Sequence, residues 1–170
     1  MDTDDSIDDV FLAAGPLRLE LFGPTAISAL NEAVRLARET RWDNLRSPHV
    51  FMGLLAVPDT GVRNWGQRLG ADLPKLLEQF QELFHQEVGE VDPLLLLNRE
   101  FLSDNVIRLL REAYNRARDN QRRFITPMDL LICLLTSTHS IVAECFERIG
   151  FTAAKLTELA VIAEHSADHS

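Results

Sequence analysis

Ser47-Pro48-His49-Val50-Phe51-Met52-Gly53-Leu54-Leu55 and Thr126-Pro127-Met128-Asp129-Leu130-Leu131-Ile132-Cys133-Leu134-Leu135 are the two stretches on which the fold turns. Each opens with a hydroxyl residue followed by proline, a helix N-cap ahead of a first turn where the missing N–H has no partner to lose. Each then runs apolar on nearly every side, and a helix that is hydrophobic all round must lie among other helices. The sequence therefore predicts two buried central helices, one in each half of the chain.

Outward from these stretches the halves keep matching. Slid by 80 residues without gaps, Ile27 meets Ile107, Leu30 meets Leu110, and Glu32-Ala33 meets Glu112-Ala113. Ala37-Arg38 meets Ala117-Arg118, Leu54-Leu55 meets Leu134-Leu135, Val62 meets Val142, Arg68-x-Gly70 meets Arg148-x-Gly150, and Lys75-Leu76 meets Lys155-Leu156. The matches concentrate on apolar and small residues, the ones a core holds in place, and are read as an internal duplication.

Each copy reads as four helices. The first starts at Gly23-Pro24 and at Ser103-Asp104, with Ala26, Leu30, Ala33, Ala37 and Val106, Leu110, Ala113, Ala117 at helical spacing. The second is the central helix, capped by Ser47 and Thr126. The third runs from about Thr60 to Leu69 and from Ser140 to Ile149, each followed by a glycine suited to a left-handed helix end. The fourth starts near Asp72 and Thr152. The fold class is all-α: two tandem four-helix repeats packed with pseudo-two-fold symmetry. The domain plan is an acidic then apolar arm over 1–21, repeat 1 over 22–88, a linker over 89–100, repeat 2 over 101–164 and a polar tail over 165–170. In the linker, Leu94-Leu95-Leu96-Leu97 is either a turn wedged between the halves, the preferred reading, or an exposed docking segment.

Composition narrows the function. The net charge of −9 argues against phosphate-backbone binding, so no nucleic-acid partner is expected. No apolar run approaches the roughly 20 residues of a membrane span, so no membrane partner is expected either, and the chain is read as soluble. Acids stand at the N-terminus where a secretory signal carries cations, and Cys133 and Cys145 make no disulfide framework. Cytoplasmic localisation follows.

These stretches resemble the N-terminal domains of the Clp AAA+ unfoldases. That family begins each half with Phe-Thr-Pro-x-Ala and continues with Thr-Glu-His-Leu-Leu-Leu-Gly-Leu-Leu. Here Phe22-Gly-Pro-Thr-Ala26, Ser47-Pro-His-Val-Phe-Met-Gly-Leu-Leu55 and Leu69-Gly70 match in the first half. Leu102-Ser103, Thr126 to Leu135, Val142-Ala143 and Ile149-Gly150 match in the second, so the resemblance spans Phe22 to Ala160. It implies recognition: a protein- or peptide-binding module for adaptors, substrate segments or a partner helix, working with an AAA+ ring in cis or in trans. The type VI secretion branch and free-standing Clp N-domain proteins are the kin considered. The family's Glu falls at Pro48 and Met128, and its His survives only as His49, with Asp129 in the second copy. The family's capture of phosphorylated arginine is therefore not carried over.

By the same resemblance the groove should form at the start of each first helix. The partner-binding residues are taken as Phe22, Ile27, Leu102 and Ile107, with Arg111 at the rim. The competing reading is that the four apolar residues only join the halves. The alternative function is a free-standing accessory subunit docking onto a larger Clp protease or secretion assembly.

No catalysis, cofactor or metal is expected. Neither lysine sits in a phosphate-binding loop, His49 is read as structural, and His165 and His169 fall in the polar tail. Arg108, Arg111, Arg116, Arg118, Arg122 and Arg123 give the second half a basic stretch, read either as a solvated face paired with Glu112 and Asp119 or as a dock for an acidic segment. One acidic segment is the arm holding Asp2, Asp4, Asp5, Asp8 and Asp9, read by default as a disordered, solubilising tail, with self-capping of the arginine stretch as the other reading. Beyond it, Val10 to Phe22 either packs over the ends of the two first helices, the preferred reading, or stays available for a partner, and the alternation Leu17-Arg-Leu-Glu-Leu21 suggests extended backbone.

Overall fold

The computed structural model describes residues 9–87 and 97–168. Their helices are α1 (Pro24–Glu39), α2 (Ser47–Ala56), α3 (Thr60–Leu69), α4 (Leu73–Phe84), α5 (Asp104–Asp119), α6 (Pro127–Thr136), α7 (Ile141–Glu147) and α8 (Ala153–Asp168). Short 3-10 turns at Leu19–Leu21 and Arg99–Phe101 lead into α1 and α5. Caps set most starts: Asp59 accepts the Val62 N–H, Ser103 that of Val106, Ser140 that of Ala143 and Thr152 that of Lys155. Gly70 and Gly150 stand at φ 72° and 98°, the left-handed backbone that ends the third helix in each half.

The halves repeat each other bond for bond. The Ile125 N–H donates to the Leu21 carbonyl, and that of Gly23 to the Ile125 carbonyl, both at 2.9 Å. Eighty residues displaced, the Leu45 N–H donates to Phe101 and that of Ser103 to Leu45, at 2.8 and 2.9 Å. The lead-in of each half is thus hydrogen-bonded to the segment before the other half's central helix. Arg41 and Gln121, also 80 apart, both take positive φ at the loop after the first helix.

Helices α2 and α6 lie in the middle, as their unbroken apolar runs require. α1 and α2 cross closely because Gly53 meets Ala29 and Ala33: a Cβ at Gly53 would lie 2.2 Å from the Ala29 carbonyl oxygen. At the image positions stand Cys133, Leu109 and Ala113, the first two bulkier than Gly53 and Ala29, and α5 packs on α6 less closely than α1 on α2. The core is continuous across the halves. Phe51, Trp65, Phe80 and Phe146 pack mainly edge to face with centroids 4.9–6.2 Å apart.

Four expectations need correction. Ser47 does not cap α2; the N-cap is Arg46, the residue 80 before Thr126, and the His49 ring closes the turn by accepting the Arg46 N–H at 3.0 Å. Leu17 to Leu21 is not extended throughout, because Arg18 and Leu19 carbonyls accept the Leu21 and Phe22 N–H groups and curl it into a 3-10 turn. α7 stops at Glu147, short of Ile149. The stretch from His165, read as polar tail, is helical to Asp168, and Ser166 accepts a hydrogen bond from Arg68. Leu94 to Leu96 lie outside the described residues. Leu97 packs against the core and its carbonyl accepts the Leu17 N–H.

Candidate partner-binding surface

The five residues proposed from sequence fall into three environments. Phe22 and Leu102 are 3% and 6% exposed and sit inside the cross-half pairings, Phe22 beside Ile125 and Leu102 beside Leu45. Ile27 and Ile107 occupy image positions one turn into α1 and α5, half-buried against the core. Arg111 is exposed one turn beyond Ile107, on the same face of α5 by its spacing.

Arg111 is engaged by the N-terminal arm. Its Nε and Nη2 donate to the two carboxylate oxygens of Asp9 at 3.0 and 3.2 Å, a forked pair. Burial pushes the Asp9 carboxyl up, but the Arg111 bonds and the Val10 N–H outweigh it and leave the pKa below the ordinary carboxylate value. Val10 and Phe11 are buried, and the Phe11 ring lies 5.7 Å from the Arg111 guanidinium and 5.8 Å from that of Arg99. The arm turns back at Gly15: the Arg18 N–H reaches Val10, and the Arg99 N–H reaches Gly15. The apolar stretch after Asp9 therefore packs on the domain.

Two of the remaining arginines, Arg116 and Arg122, correct the helix-face reading. Arg116 of α5 and Arg122 in the loop after it pair across the fold with Asp129 of α6 and Glu164 of α8, rather than with Glu112 and Asp119 of α5. Asp129 is fully buried. It accepts from both arginines and from the backbone N–H and hydroxyl of Thr126. Desolvation raises its pKa, but the Arg122 and Thr126 bonds and then Arg116 outweigh it and hold the carboxyl below its usual value. In the first half the same four positions are Leu36, Trp42, His49 and Phe84. There His49 is buried beneath the Trp42 ring at 5.4 Å, and Trp42 Nε1 donates to the Phe84 carbonyl. Burial, then the nearby Arg46 charge, lower the His49 pKa to about 4. A neutral ring fits its bonds: Nδ1 accepts the Arg46 N–H, while Nε2 lies 3.4 Å from the Thr40 hydroxyl, which itself donates to Leu36. His49 is a structural residue.

A second apolar surface had no signal in the helix periods. The first half's third helix, α3, packs along α8, where Trp65 fills the seam and donates from Nε1 to the Leu156 carbonyl at 3.1 Å. The image seam, α7 against α4, has Cys145 in place of Trp65 and stays open. A cleft of about 190 Å³ there is lined by Leu83, Phe84, Ile141, Glu144, Cys145 and Arg148. A neighbouring one of about 210 Å³ includes Leu76, Phe146, Ile149 and Phe151. Leu83 and Ile149 are 57% and 65% exposed. The signal was present in the sequence as the Trp65–Cys145 mismatch between otherwise similar halves.

Among the described residues no three His, Cys, Asp or Glu side chains are placed to hold a metal ion. No single described helix is long and apolar enough to cross a membrane. Burial pushes the Cys133 thiol up to about 12 and raises that of Cys145, so neither is an activated nucleophile.

The fold is that of the Clp N-terminal domains, all-α with two four-helix halves. The N-terminal domain of the chaperone ClpD from Arabidopsis thaliana superposes with a TM-score of 0.64 at 20% identity, over 85% of this chain and 94% of that one. The N-terminal domain of the ClpV1 ATPase from the E. coli EAEC Sci1 T6SS gives 0.65 at 16% identity, over 86% and 88%. A ClpV N-domain in complex with a VipB peptide gives 0.61 at 19% identity, over 85% and 88%. No protein-family model matches the sequence, and neither does any curated protein.

Proposed function

We propose that this chain is a protein-binding module without catalysis of its own, which receives an adaptor, a substrate segment or a partner helix on behalf of an AAA+ ring, in cis or in trans. The observation that carries the reading is the pair of half-buried isoleucines, Ile27 and Ile107, at image positions beside the cross-half seam, with exposed Arg111 one turn on. Helix-in-groove recognition needs such apolar anchors on a rigid frame, and the hydrogen-bonded lead-ins holding Phe22 and Leu102 supply the frame. The similar ClpV N-domain seen with a VipB peptide supports a peptide as the ligand class. The matching lead-in bonds of the halves support duplication of one ancestral repeat, and the two free cysteines suit a cytoplasmic setting.

The test is capture from native cell extract, comparing the wild-type chain with Ile27→Asp/Ile107→Asp, after circular dichroism has shown the variant to be folded. A partner held by the wild type and lost by the variant is expected. Equal capture by both chains would refute the assignment of the surface. The open α4–α7 seam favours a second reading, a subunit docked permanently on a larger assembly. Under that reading Leu83→Asp/Ile149→Asp loses the partner while Ile27→Asp/Ile107→Asp keeps it.

A further inference from the structure

We propose that the Arg99–Arg111 surface of the second half is a receptor for acidic–aromatic segments of the form Asp-x-Phe, and that the arm around Asp9-Val10-Phe11 is its built-in occupant. The proposal rests on the partner-binding reading above and names the partner's chemistry. A segment held only by apolar packing would require neither a forked carboxylate pair nor an aromatic ring with two guanidiniums within about 6 Å. Here both are made by residues two apart in one short arm. The slot exists once. At the image positions of Arg99 and Arg111 the first half carries Leu19 and Asn31, neither of which offers a positive charge. The surface therefore discriminates by charge as well as by shape, and it lies on the same helix face as Ile107.

The acidic end of the arm is the part a competitor can replace first; Val10 and Phe11 are buried, and the Arg99 N–H to Gly15 and Leu17 N–H to Leu97 bonds tie the rest to the domain. The Asp9–Arg111 pair is partly open to water, where such pairs contribute little. Two of the arm's backbone bonds close it on itself, Leu12 N–H to Pro16 and Gly15 N–H to Leu12, at 2.8 and 2.9 Å. Tethering makes up for weak contacts: a short linker presents the arm at an effective concentration on the order of millimolar. A partner carrying the same acid and aromatic must exceed that concentration relative to its own dissociation constant, so the arm sets a threshold for binding.

The probe is a fluorescein-labelled peptide of residues 9–18, titrated by anisotropy against the full chain and against a full-length Asp9→Arg/Phe11→Ala variant. The opened variant is expected to bind at least tenfold more tightly than the wild type, the competition that a millimolar arm imposes. Adding Arg111→Asp to the opened chain should remove binding, and a peptide bearing Arg in place of its Asp should restore it. If the double variant loses its fold, Asp9→Arg alone, which leaves Phe11 in place, carries the same comparison. Equal affinity for wild type and opened chain would overturn the arm as occupant while leaving peptide recognition intact. Binding to neither would overturn the receptor chemistry, and the partner-binding reading would still be decided separately by the Ile27/Ile107 capture.

Discussion

Replacing Asp129 by Asn should cost the domain about 3 kcal/mol. The carboxylate is fully buried and accepts from Arg116, Arg122 and both donors of Thr126. Breaking a buried ion pair by removing one partner costs roughly 3–5 kcal/mol, because the remaining charge is left uncompensated. Here both arginines keep Glu164 and some contact with water, so the low end applies. For a domain of this size that is a fall of about 6–12 °C in Tm. The assay is urea unfolding followed by far-ultraviolet circular dichroism, repeated from pH 7 down to pH 3. The folded pKa of Asp129 lies below its unfolded value of about 3.9. Its contribution is therefore present above that pH and lost as pH falls through the folded pKa, so the gap between the proteins should narrow in acid. The companion variant installs the first half's residues at the image positions: Arg116→Leu, Arg122→Trp, Asp129→His and Glu164→Phe. Exchanging a buried ionic cluster for packed apolar groups is often neutral or stabilising, so this variant should lie within about 1 kcal/mol of wild type or above it. A cost for Asp129→Asn below about 1 kcal/mol, or a gap unchanged at pH 3, would show that the network does not hold α5, α6 and α8 together.

His49 should give a stability slope of its own. Its folded pKa of about 4 lies below the ordinary 6.5, so the unfolded chain binds the proton first; stability is full above pH 6.5 and falls by about 3 kcal/mol as pH drops to 4. His49→Gln should flatten that segment of the pH–stability curve, and an unchanged slope would contradict a neutral buried ring. Gly53→Ala should cost about 2 kcal/mol despite alanine's better helix propensity, since its Cβ would meet the backbone of α1 at 2.2 Å; a urea midpoint equal to or above wild type would count against that crossing.

The fold was legible because the two central helices are apolar over whole turns, a pattern that only burial among other helices satisfies. Most helix starts were legible through capping side chains whose chemistry is local. Ser47 misled because a hydroxyl before proline is a good cap in isolation, whereas the register of the repeat places Arg46 there, with His49 supplying the acceptor. The partners of Arg116 were hidden for a different reason. Glu112 lies four residues away on the same helix and is the local choice, but Asp129 and Glu164 lie 13 and 48 residues away and reach it only through packing of α5 on α6 and α8. At the proposed site the sequence singled out Ile27, Ile107 and Arg111 and offered the acidic arm as one occupant of the arginine stretch, but not which acid meets which arginine; the pair is Asp9 with Arg111. The arm's two opposite chemistries, acid then apolar, pointed to solvent and to core, and only the fold puts both on one surface.

The symmetry of the backbone and the asymmetry of the surface have a common origin in the crossed lead-ins. Because Leu21 and Gly23 find their partner at Ile125, and Phe101 and Ser103 theirs at Leu45, neither half satisfies its own backbone alone. The backbone there is constrained to match, while the residues themselves differ: Leu21 against Phe101, Gly23 against Ser103, Leu45 against Ile125. Positions outside the frame are free to differ, and three sets of differences change the surface or its support. Leu19 and Asn31 against Arg99 and Arg111 place a cationic slot on one half only. Trp65 against Cys145 closes one seam and opens its image. Leu36, Trp42, His49 and Phe84 against Arg116, Arg122, Asp129 and Glu164 change the charge of the support without moving it. Under the proposed function, a body with near two-fold symmetry would otherwise offer every partner two equivalent places to bind; the mismatches at these positions leave one of each, and so an orientation.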